Sequence, residues 1–232
     1  GRGYVVGVTG FAGAGKSTLI DRLTMAYRKR GELVGVVAID PSSILTGGAI
    51  LGDRIRMYTH RGDEGVFIRS MATRGSVGGV AKNTYKIIAL LDAFGFQKII
   101  VETVGVGQDE VDIMGLVHTC LVVVTPGHGD DIQAMKAGLF EIADILIINK
   151  IDVEDPSKTT KDLGLYSVST PKPGGRKTAV IALSARENIN IDVLIGTIDE
   201  HNASGGPRKR SFAKERAIDI VISGALMDIL RG

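Results

Sequence analysis

Residues 10–17 read GFAGAGKS and fit the pattern G-x-x-x-x-G-K-[ST] of a phosphate-binding loop, the P-loop. The residues before this loop, 4–9, form the apolar run YVVGVT, which is typical of a buried strand. The residues after it, 17–30, carry apolar side chains at helical spacing. Because a strand, a glycine-rich loop and a helix in this order bind nucleotide phosphates, the sequence predicts a nucleotide-binding protein.

Each residue type in the loop suits phosphate binding. Glycine lets backbone N–H groups point at phosphate oxygens, and the following helix adds the positive end of its dipole. We expect Lys16 to neutralise the β- and γ-phosphates and the Ser17 hydroxyl to ligate Mg²⁺. The nucleotide-binding residues predicted for this loop are Gly13, Ala14, Gly15, Lys16, Ser17 and Thr18.

The composition narrows the class of protein. The chain has 232 residues, of which 44% are hydrophobic, and this is enough for one α/β domain with a sizeable core. A formal net charge of +2 gives no sign of a nucleic-acid-binding surface. Cys120 is the single cysteine, which fits a reducing compartment such as the cytoplasm. No apolar run approaches the roughly 18–20 residues that span a bilayer, so we expect no membrane partner.

Apolar strands alternate with helical patterns along the chain. Strands rich in Val, Ile and Leu that alternate with helices predict an α/β fold, in which a mostly parallel sheet lies between layers of helices. Ligands of such sheets bind at the carboxyl ends of the strands. The predicted strands are 4–9, 33–39, 66–71, 98–102, 121–124, 145–149 and 179–183, and the predicted helices are 17–30, 79–94, 131–143 and 191–200.

Two segments have the composition of connections. Residues 154–177 are polar and contain several prolines and glycines, so we expect a loop or a poorly ordered insertion there. Residues 203–207 read ASGGP and are typical of a linker, and residues 212–230 beyond them have helical apolar spacing. We therefore expect a nucleotide-binding domain over residues 1–202, followed by a linker and a C-terminal helix over 203–232.

A second motif favours guanine as the base. Residues 149–152 read NKID and fit N-K-x-D at the end of a predicted strand. The Asp152 carboxylate can accept hydrogen bonds from N1–H and the 2-amino group of guanine, and adenine offers no such pair. We expect Asn149, Lys150 and Asp152 to bind the base. Ser184 and Ala185 follow the next strand, where GTPases place a backbone amide on the guanine oxygen.

A third motif, ETVGVGQ at residues 102–108, follows another predicted strand. A carboxylate at a strand end beside a P-loop, here Glu102, can hold Mg²⁺ directly or through water. Gly105 can bring a backbone N–H to the γ-phosphate, and release of such a contact on hydrolysis is how switch loops move. Most GTPases have Asp at the position of Glu102.

Longer stretches join these motifs. Residues 40–43 read DPSS, residues 46–57 read TGGAILGDRIRM and residues 67–75 read FIRSMATRG. Together with ETVGVGQ, they closely resemble the MeaB/ArgK family, which includes the MMAA protein. The resemblance covers about residues 4–201. It implies a P-loop GTPase of the SIMIBI type that acts as a chaperone of an adenosylcobalamin-dependent acyl-CoA mutase, methylmalonyl-CoA mutase.

The resemblance also implies roles for individual residues. Asp40 and Asp53 resemble the family's Mg²⁺-site carboxylates, with Ser17 and Glu102 completing the predicted metal set. Residues 125–136 resemble its switch III, which relays the nucleotide state to the mutase. The residues that the resemblance places at the catalytic site are Lys16, Asp53 in switch I, the switch arginine Arg56, Glu102 and the switch III lysine Lys136.

The chain departs from the family pattern at three places. Family P-loops usually have Pro where this chain has Ala12, and the backbone should cradle phosphate with either residue. Family members carry an N-terminal helical extension, which we expect residues 1–232 to lack. They also carry a C-terminal dimerisation arm, and we expect residues 212–232 to represent it only in part. The resemblance implies a homodimer for the full-length protein and a cytoplasmic location, or the mitochondrial matrix in a eukaryote.

Three other functions remain open. Metal-delivery GTPases of the nickel or zinc insertion type share this fold, but they typically carry Cys-x-Cys or His-rich tracts. This chain has one cysteine, and its histidines are scattered at positions 60, 118, 128 and 201. A kinase that transfers the γ-phosphate to a protein would gain nothing from guanine selectivity. A nucleotide sensor without enzymatic activity is the third alternative.

Overall fold

The strands of the chain form one parallel sheet. The computed structural model describes residues 3–40, 60, 62–72, 79–103, 114–127, 139–169 and 177–204, and within them seven strands pair in parallel. The strands are β1 (Tyr4–Gly10), β2 (Val34–Asp40), β3 (Val66–Ala72), β4 (Lys98–Thr103), β5 (Thr119–Val124), β6 (Ile145–Ile148) and β7 (Ala179–Ala182). The helices are α1 (Lys16–Lys29), α2 (Gly79–Ala93), α3 (Leu139–Ile142), α4 (Ser157–Ser169) and α5 (Ile191–Ala203). The predicted α/β class is confirmed.

The strand order places the P-loop at the middle of the sheet. The order is β3-β2-β4-β1-β5-β6-β7, so β1 lies between β4 and β5. Val8 of β1 pairs with Glu102 of β4, and Gly10 pairs with Val123 of β5. Because the strands run in the same direction, the residues that follow β1, β4 and β5 leave the sheet at one edge.

Each face of the sheet has its own layer of helices. Alternate residues of β1 point to opposite faces, as the strand period of two requires. On one face, Val6 packs with Leu19 of α1 and Leu194 of α5 in one buried cluster. On the other face, Val5 belongs to a second cluster with residues of α2, α3 and α4, which are Ile88, Phe140 and Leu163. Residues buried on both sides of the strands explain why the strands read as continuous apolar runs.

The predicted strands are found, with small shifts of their ends. Of the predicted helix at 131–143, the structure describes the end as α3, and residues 131–138 lie outside the described residues. The predicted C-terminal helix at 212–230 also lies outside them. Among the described helices, none is long and apolar enough to span a bilayer.

The expectation of a loop at 154–177 was wrong for much of that segment. Helix α4 occupies Ser157–Ser169, and Asp155 accepts hydrogen bonds from the backbone N–H and the hydroxyl of Ser157 at 3.1 and 2.7 Å. Leu163 is buried and Tyr166 packs on Phe140 of α3, with ring centroids 4.9 Å apart. Burial of a few residues against the sheet therefore outweighs the poor helix propensity of a segment rich in Ser and Thr.

The last turn of α5 is fixed to the opposite edge of the sheet. Asp199 accepts hydrogen bonds from Lys98 of β4 at 3.1 Å and from Arg30 at 2.6 Å. Burial raises the pKa of the Asp199 carboxyl, but these hydrogen bonds outweigh burial and hold this pKa below its usual range. His201 Nδ1 lies 2.8 Å from the hydroxyl of Thr119 on β5. The Tyr27 hydroxyl lies near Asp199, and its pKa is raised, mainly because the side chain is buried. Polar contacts thus hold this helix end in place.

Gly7 in β1 is required by close packing. A methyl group at this position would lie 2.5 Å from Sδ of Met114 and 2.9 Å from Cγ2 of Val117. Met114 can move aside because its side chain is flexible, whereas the branched Val117 can retreat only if its backbone shifts. Residues 114–117 therefore sit directly against the central strand.

We predict that Gly7→Ala lowers the free energy of unfolding by about 1–3 kcal/mol, because overpacking a filled core forces neighbouring atoms to move. Gly196→Ala is the matched control, since a methyl group there meets nothing within 4 Å. In the exposed face of α5, it should raise the free energy of unfolding by roughly 0.5–1 kcal/mol. Urea denaturation followed by circular dichroism measures both changes. If Gly7→Ala had the same free energy of unfolding as the parent chain, the packing described for β1 would be wrong.

Candidate nucleotide-binding site

Two glycines of the P-loop have no room for a side chain. Gly10 has φ of 137°, and a Cβ there would lie 2.1 Å from the carbonyl oxygen of Val123. Gly15 has φ of 88°, and a Cβ there would lie 2.4 Å from Nδ2 of Asn149. Both positive φ values favour glycine in their own right. The loop is therefore pressed against β5 on one side and against Asn149 on the other.

The Lys16 ammonium is held within the loop. Its side chain is 6% exposed, and Nζ donates to the carbonyl oxygens of Gly10 and Phe11, at 2.8 Å each. These carbonyls begin the loop and Lys16 ends it, so the charge lies inside the ring that the loop makes. This is where a phosphate group needs a cation.

Ser17 and Glu102 meet at the edge of the sheet, as the order of motifs predicts. The Ser17 hydroxyl donates to Oε1 of Glu102 at 3.0 Å, and the Glu102 side chain is 4% exposed. The pairing of β1 with β4 brings them together, because Val8 and Glu102 are register partners two residues before Gly10. A buried carboxylate beside a hydroxyl needs a cation or hydrogen-bond donors around it.

This pair of oxygen ligands fits Mg²⁺. Mg²⁺ prefers oxygen ligands and usually keeps several waters, so one or two protein groups plus substrate phosphates suffice to hold it. Among the residues that the structure describes, no group of three or more His, Cys, Asp or Glu is placed to hold a metal. Ser17 and Glu102 would hold the ion at the phosphate end of the site.

The side-chain amide of Asn149 connects the P-loop to the loop that follows β7. Asn149 is 2% exposed. Its Nδ2 donates to the carbonyl oxygen of Ala14 at 2.8 Å, and its Oδ1 accepts from the backbone N–H of Ala185 at 3.0 Å. A single amide thus uses its donor on one loop and its acceptor on the other, which fixes the distance between them.

The loop after β7, residues 183–190, is stabilised from within and from α1. Ser184 pairs with Ile189 in an isolated bridge, and the Ser184 hydroxyl accepts from the backbone N–H of Glu187 at 3.1 Å. Arg22 of α1 donates through Nε to the carbonyl oxygen of Ala185 at 2.9 Å. Through Nη2 it donates to the carbonyl oxygen of Arg186 at 3.0 Å. We call residues 184–187 the base loop.

A cavity of about 330 Å³ lies between the P-loop, the NKID residues and the base loop. This volume is within the range of small-molecule sites, about 300–1,000 Å³. Lys150 has φ of 67°, which marks a tight turn that leads to the exposed Asp152. The cavity is lined by Gly15, Thr18, Asn149, Lys150, Asp152, Val153, Ala185 and Arg186.

The structure brings together most of the residues predicted for the nucleotide. The phosphate-end residues of the P-loop lie beside Glu102, and the three NKID residues lie with Ala185 around one cavity. Several others lie outside the described residues, and so does the side chain of Asp40, whose backbone ends β2. Those outside are Asp53, Arg56, Gly105 and Lys136.

Two features of the site were missed by the sequence analysis. Asn149 joins two loops, a role that the N-K-x-D pattern does not reveal. Arg22 was not assigned a function, because an arginine on a helix ordinarily lies on the solvated face. No sequence signal identifies it, since its partners are backbone carbonyls 163 and 164 residues away.

Known proteins are similar to this chain in sequence and in fold. A family model described as methylmalonyl-CoA mutase-associated GTPase MeaB matches residues 1–226. A Pyrococcus abyssi protein named as a GTPase is 50% identical over 234 residues, covering 97% of this chain and 72% of that protein. GTPase ArgK of Escherichia coli is 44% identical over 193 residues, covering 82% and 58% respectively. The mouse mitochondrial methylmalonic aciduria type A homolog is 40% identical over 149 residues, covering 64% and 36%.

A solved structure agrees with these relatives. The crystal structure of a LAO/AO transport system kinase superposes with a TM-score of 0.72 at 26% identity, covering 99% of this chain and 70% of that one. The chain spans between about a third and three quarters of the length of these relatives, from 36% to 72%. The family model nevertheless matches nearly the whole chain. This chain therefore belongs to the family of methylmalonyl-CoA mutase-associated GTPases, MeaB.

Proposed function

We propose that this chain binds and hydrolyses GTP with Mg²⁺, and that it acts as a chaperone of an adenosylcobalamin-dependent acyl-CoA mutase, methylmalonyl-CoA mutase. In this role the chain would gate cofactor loading according to the nucleotide that it holds, or it would protect the mutase. The observation that carries the GTP part is the cavity between the P-loop and the NKID residues, with Lys16 held in the loop and Asp152 at the base end. Family membership supports the mutase part.

Binding of GTP would use both ends of the site. Lys16 would exchange its bonds to Gly10 and Phe11 for phosphate oxygens, and the N–H groups at the start of α1 would bind them as well. Asp152 would accept from N1–H and the 2-amino group of guanine. Asn149 would keep the two loops at a fixed distance, because it bonds both.

Hydrolysis would depend on positioning and on neutralisation of charge. Ser17 and Glu102 would hold Mg²⁺, which supplies charge neutralisation at the β- and γ-phosphates when bound. We propose Asp40 and Asp53 as further ligands, and Arg56, Gly105 and Lys136 as residues that approach the phosphates or relay their loss. Because phosphoryl transfer depends mostly on positioning and charge neutralisation, we expect slow turnover that a partner accelerates.

The mutase is proposed on the family's description alone. The family model names methylmalonyl-CoA mutase, and the mouse relative is named for methylmalonic aciduria. We further propose that residues 1–202 are the GTPase domain and that 203–232 contribute to a dimerisation arm of a homodimeric full-length protein. The proposed location is the cytoplasm, or the mitochondrial matrix in a eukaryote.

Two alternatives are less well supported. The family is one of GTPases. Metal delivery is less well supported because two of the described histidines, His60 and His118, are buried in separate contacts with Asp21 and Val5. A kinase would transfer the γ-phosphate to a protein. Absence of labelled phosphate on candidate proteins incubated with the chain and γ-labelled GTP would dismiss it.

We predict that the chain alone hydrolyses GTP slowly and that an adenosylcobalamin-dependent acyl-CoA mutase from the same source accelerates turnover at least about tenfold, as a partner that completes the site would. Phosphate release with and without the mutase measures this. Lys16→Ala should bind no GTP under either condition. If the rate of GTP hydrolysis does not change when the mutase is added, the chaperone proposal is wrong and the chain is a GTPase with another client.

We predict that Asp152→Asn reverses the preference for GTP over xanthosine triphosphate. Xanthine has an oxygen in place of the 2-amino group, so the amide of Asn can donate where the carboxylate accepted. The loss for GTP should be at least about 100-fold, since the N1–H and 2-amino group of guanine lose the carboxylate that accepts from both. Asp162→Asn on the exposed face of α4 is the control. A retained preference for GTP in Asp152→Asn would contradict the assignment of the base end.

We predict that Glu102→Gln raises the Mg²⁺ concentration needed for half-maximal GTP turnover by about tenfold or more, because a buried ligand loses its charge. The side-chain amide of the introduced glutamine can still accept the hydrogen bond from the Ser17 hydroxyl, so the free energy of unfolding should not fall. Turnover titrated with Mg²⁺, alongside urea denaturation, separates the two effects. An unchanged Mg²⁺ requirement would show that Glu102 does not serve the metal.

A further inference from the structure

Arg22 links the helix that follows the P-loop to the base loop. It lies on α1, which begins at Lys16, so Arg22 belongs to the same helix as Lys16 and Ser17. Its side chain is half-buried and directed at the loop after β7. Neither the P-loop nor the N-K-x-D pattern assigns it a role.

The guanidinium makes two parallel hydrogen bonds. Nε donates to the carbonyl oxygen of Ala185 at 2.9 Å, and Nη2 donates to the carbonyl oxygen of Arg186 at 3.0 Å. Two donors on one edge of a planar group match two consecutive carbonyls, which fixes the orientation of the peptide between them as well as its position. A lysine has a single nitrogen and cannot do the same.

The backbone N–H of Ala185 lies in the base loop, beside the two carbonyls that Arg22 binds. This N–H donates to Asn149 Oδ1 at 3.0 Å, and Ala185 lines the cavity. A 6-oxo group of a purine at this wall would share the N–H with Asn149 in a three-centre bond, an arrangement common in proteins. A 6-amino group would instead meet another donor. The position of the base loop therefore determines which purines fit.

We infer that Arg22 is a positioning residue for the base, which sets the preference for 6-oxopurines by holding the base loop against α1. This inference rests on the proposed binding of guanine nucleotides. It assigns the two edges of the base to different residues. Asp152 reads N1–H and the 2-amino group, and the backbone N–H of Ala185, in the loop that Arg22 holds, reads the 6-oxo group.

Three diphosphates probe these contacts: GDP, inosine diphosphate, which lacks the 2-amino group, and 2-aminoadenosine diphosphate, which has a 6-amino group and no hydrogen on N1. The contact at position 6 is therefore read from the change that Arg22→Gln causes for each nucleotide, and not from the parent's preference alone. The three dissociation constants would be measured by calorimetry for the parent chain and for Arg22→Gln, Arg22→Lys and Arg30→Gln. Arg30 lies just beyond α1 and pairs with Asp199 at 2.6 Å, away from the cavity, so it is the matched control.

For Arg22→Gln, we expect the dissociation constants of GDP and inosine diphosphate to rise by the same factor, about tenfold. Loss of a charge-assisted hydrogen bond implies a change of this size. Binding of 2-aminoadenosine diphosphate should be unchanged, so the preference for GDP over it should fall. Arg22→Lys, which keeps one bond, should show a smaller loss of the same kind. Arg30→Gln should match the parent for all three nucleotides.

The outcomes distinguish this inference from the proposed function. A parent chain that does not prefer GDP to 2-aminoadenosine diphosphate would overturn both. A parent chain with that preference, combined with an Arg22→Gln variant that loses affinity equally for all three nucleotides, would overturn the role of Arg22 alone. So would an Arg22→Gln variant with the parent's three dissociation constants. Thermal unfolding of each variant confirms that the protein compared is folded.

Discussion

The central strand β1 pairs in parallel with β4 on one side and with β5 on the other, and this pairing determines which segments meet at one edge of the sheet. Val8 opposite Glu102 brings a carboxylate to the start of α1. Gly10 opposite Val123 presses the P-loop against β5. A slip of one residue would turn every apolar side chain of β1 to the wrong face, so the core and the site depend on the same register.

The loops at this edge are then joined by polar side chains. Asn149 bonds the P-loop and the base loop, and Arg22 bonds the base loop to α1. Each of these bonds satisfies a backbone group that would otherwise be costly to leave without a partner. The two ends of a nucleotide site are thereby held at one spacing, although Asn149 is 135 residues from Ala14 and Ala185 is 163 residues from Arg22.

Much of the fold and part of the site could be predicted from sequence. Val, Ile and Leu runs identified the strands because residues buried on both faces need no polar alternation. Ser17 and Glu102 were predicted together because Ser17 follows the strand that leads into the P-loop, Glu102 ends another strand, and parallel strands end at one edge. Helix α4 was missed, since its stability comes from packing of Leu163 and Tyr166 and not from helix propensity. Arg22 was missed because its partners are backbone carbonyls, which have no sequence signature.

The contacts of Lys16 with the carbonyls of Gly10 and Phe11 have a consequence for affinity. A free lysine side chain carries about 2 kcal/mol of rotamer entropy, which a ligand must overcome when it immobilises the side chain. Here the loop has already immobilised it and already removed most of its water. An incoming phosphate therefore exchanges one set of oxygens for another around a stationary charge. The entropy lost at this residue is a cost of folding and not of binding.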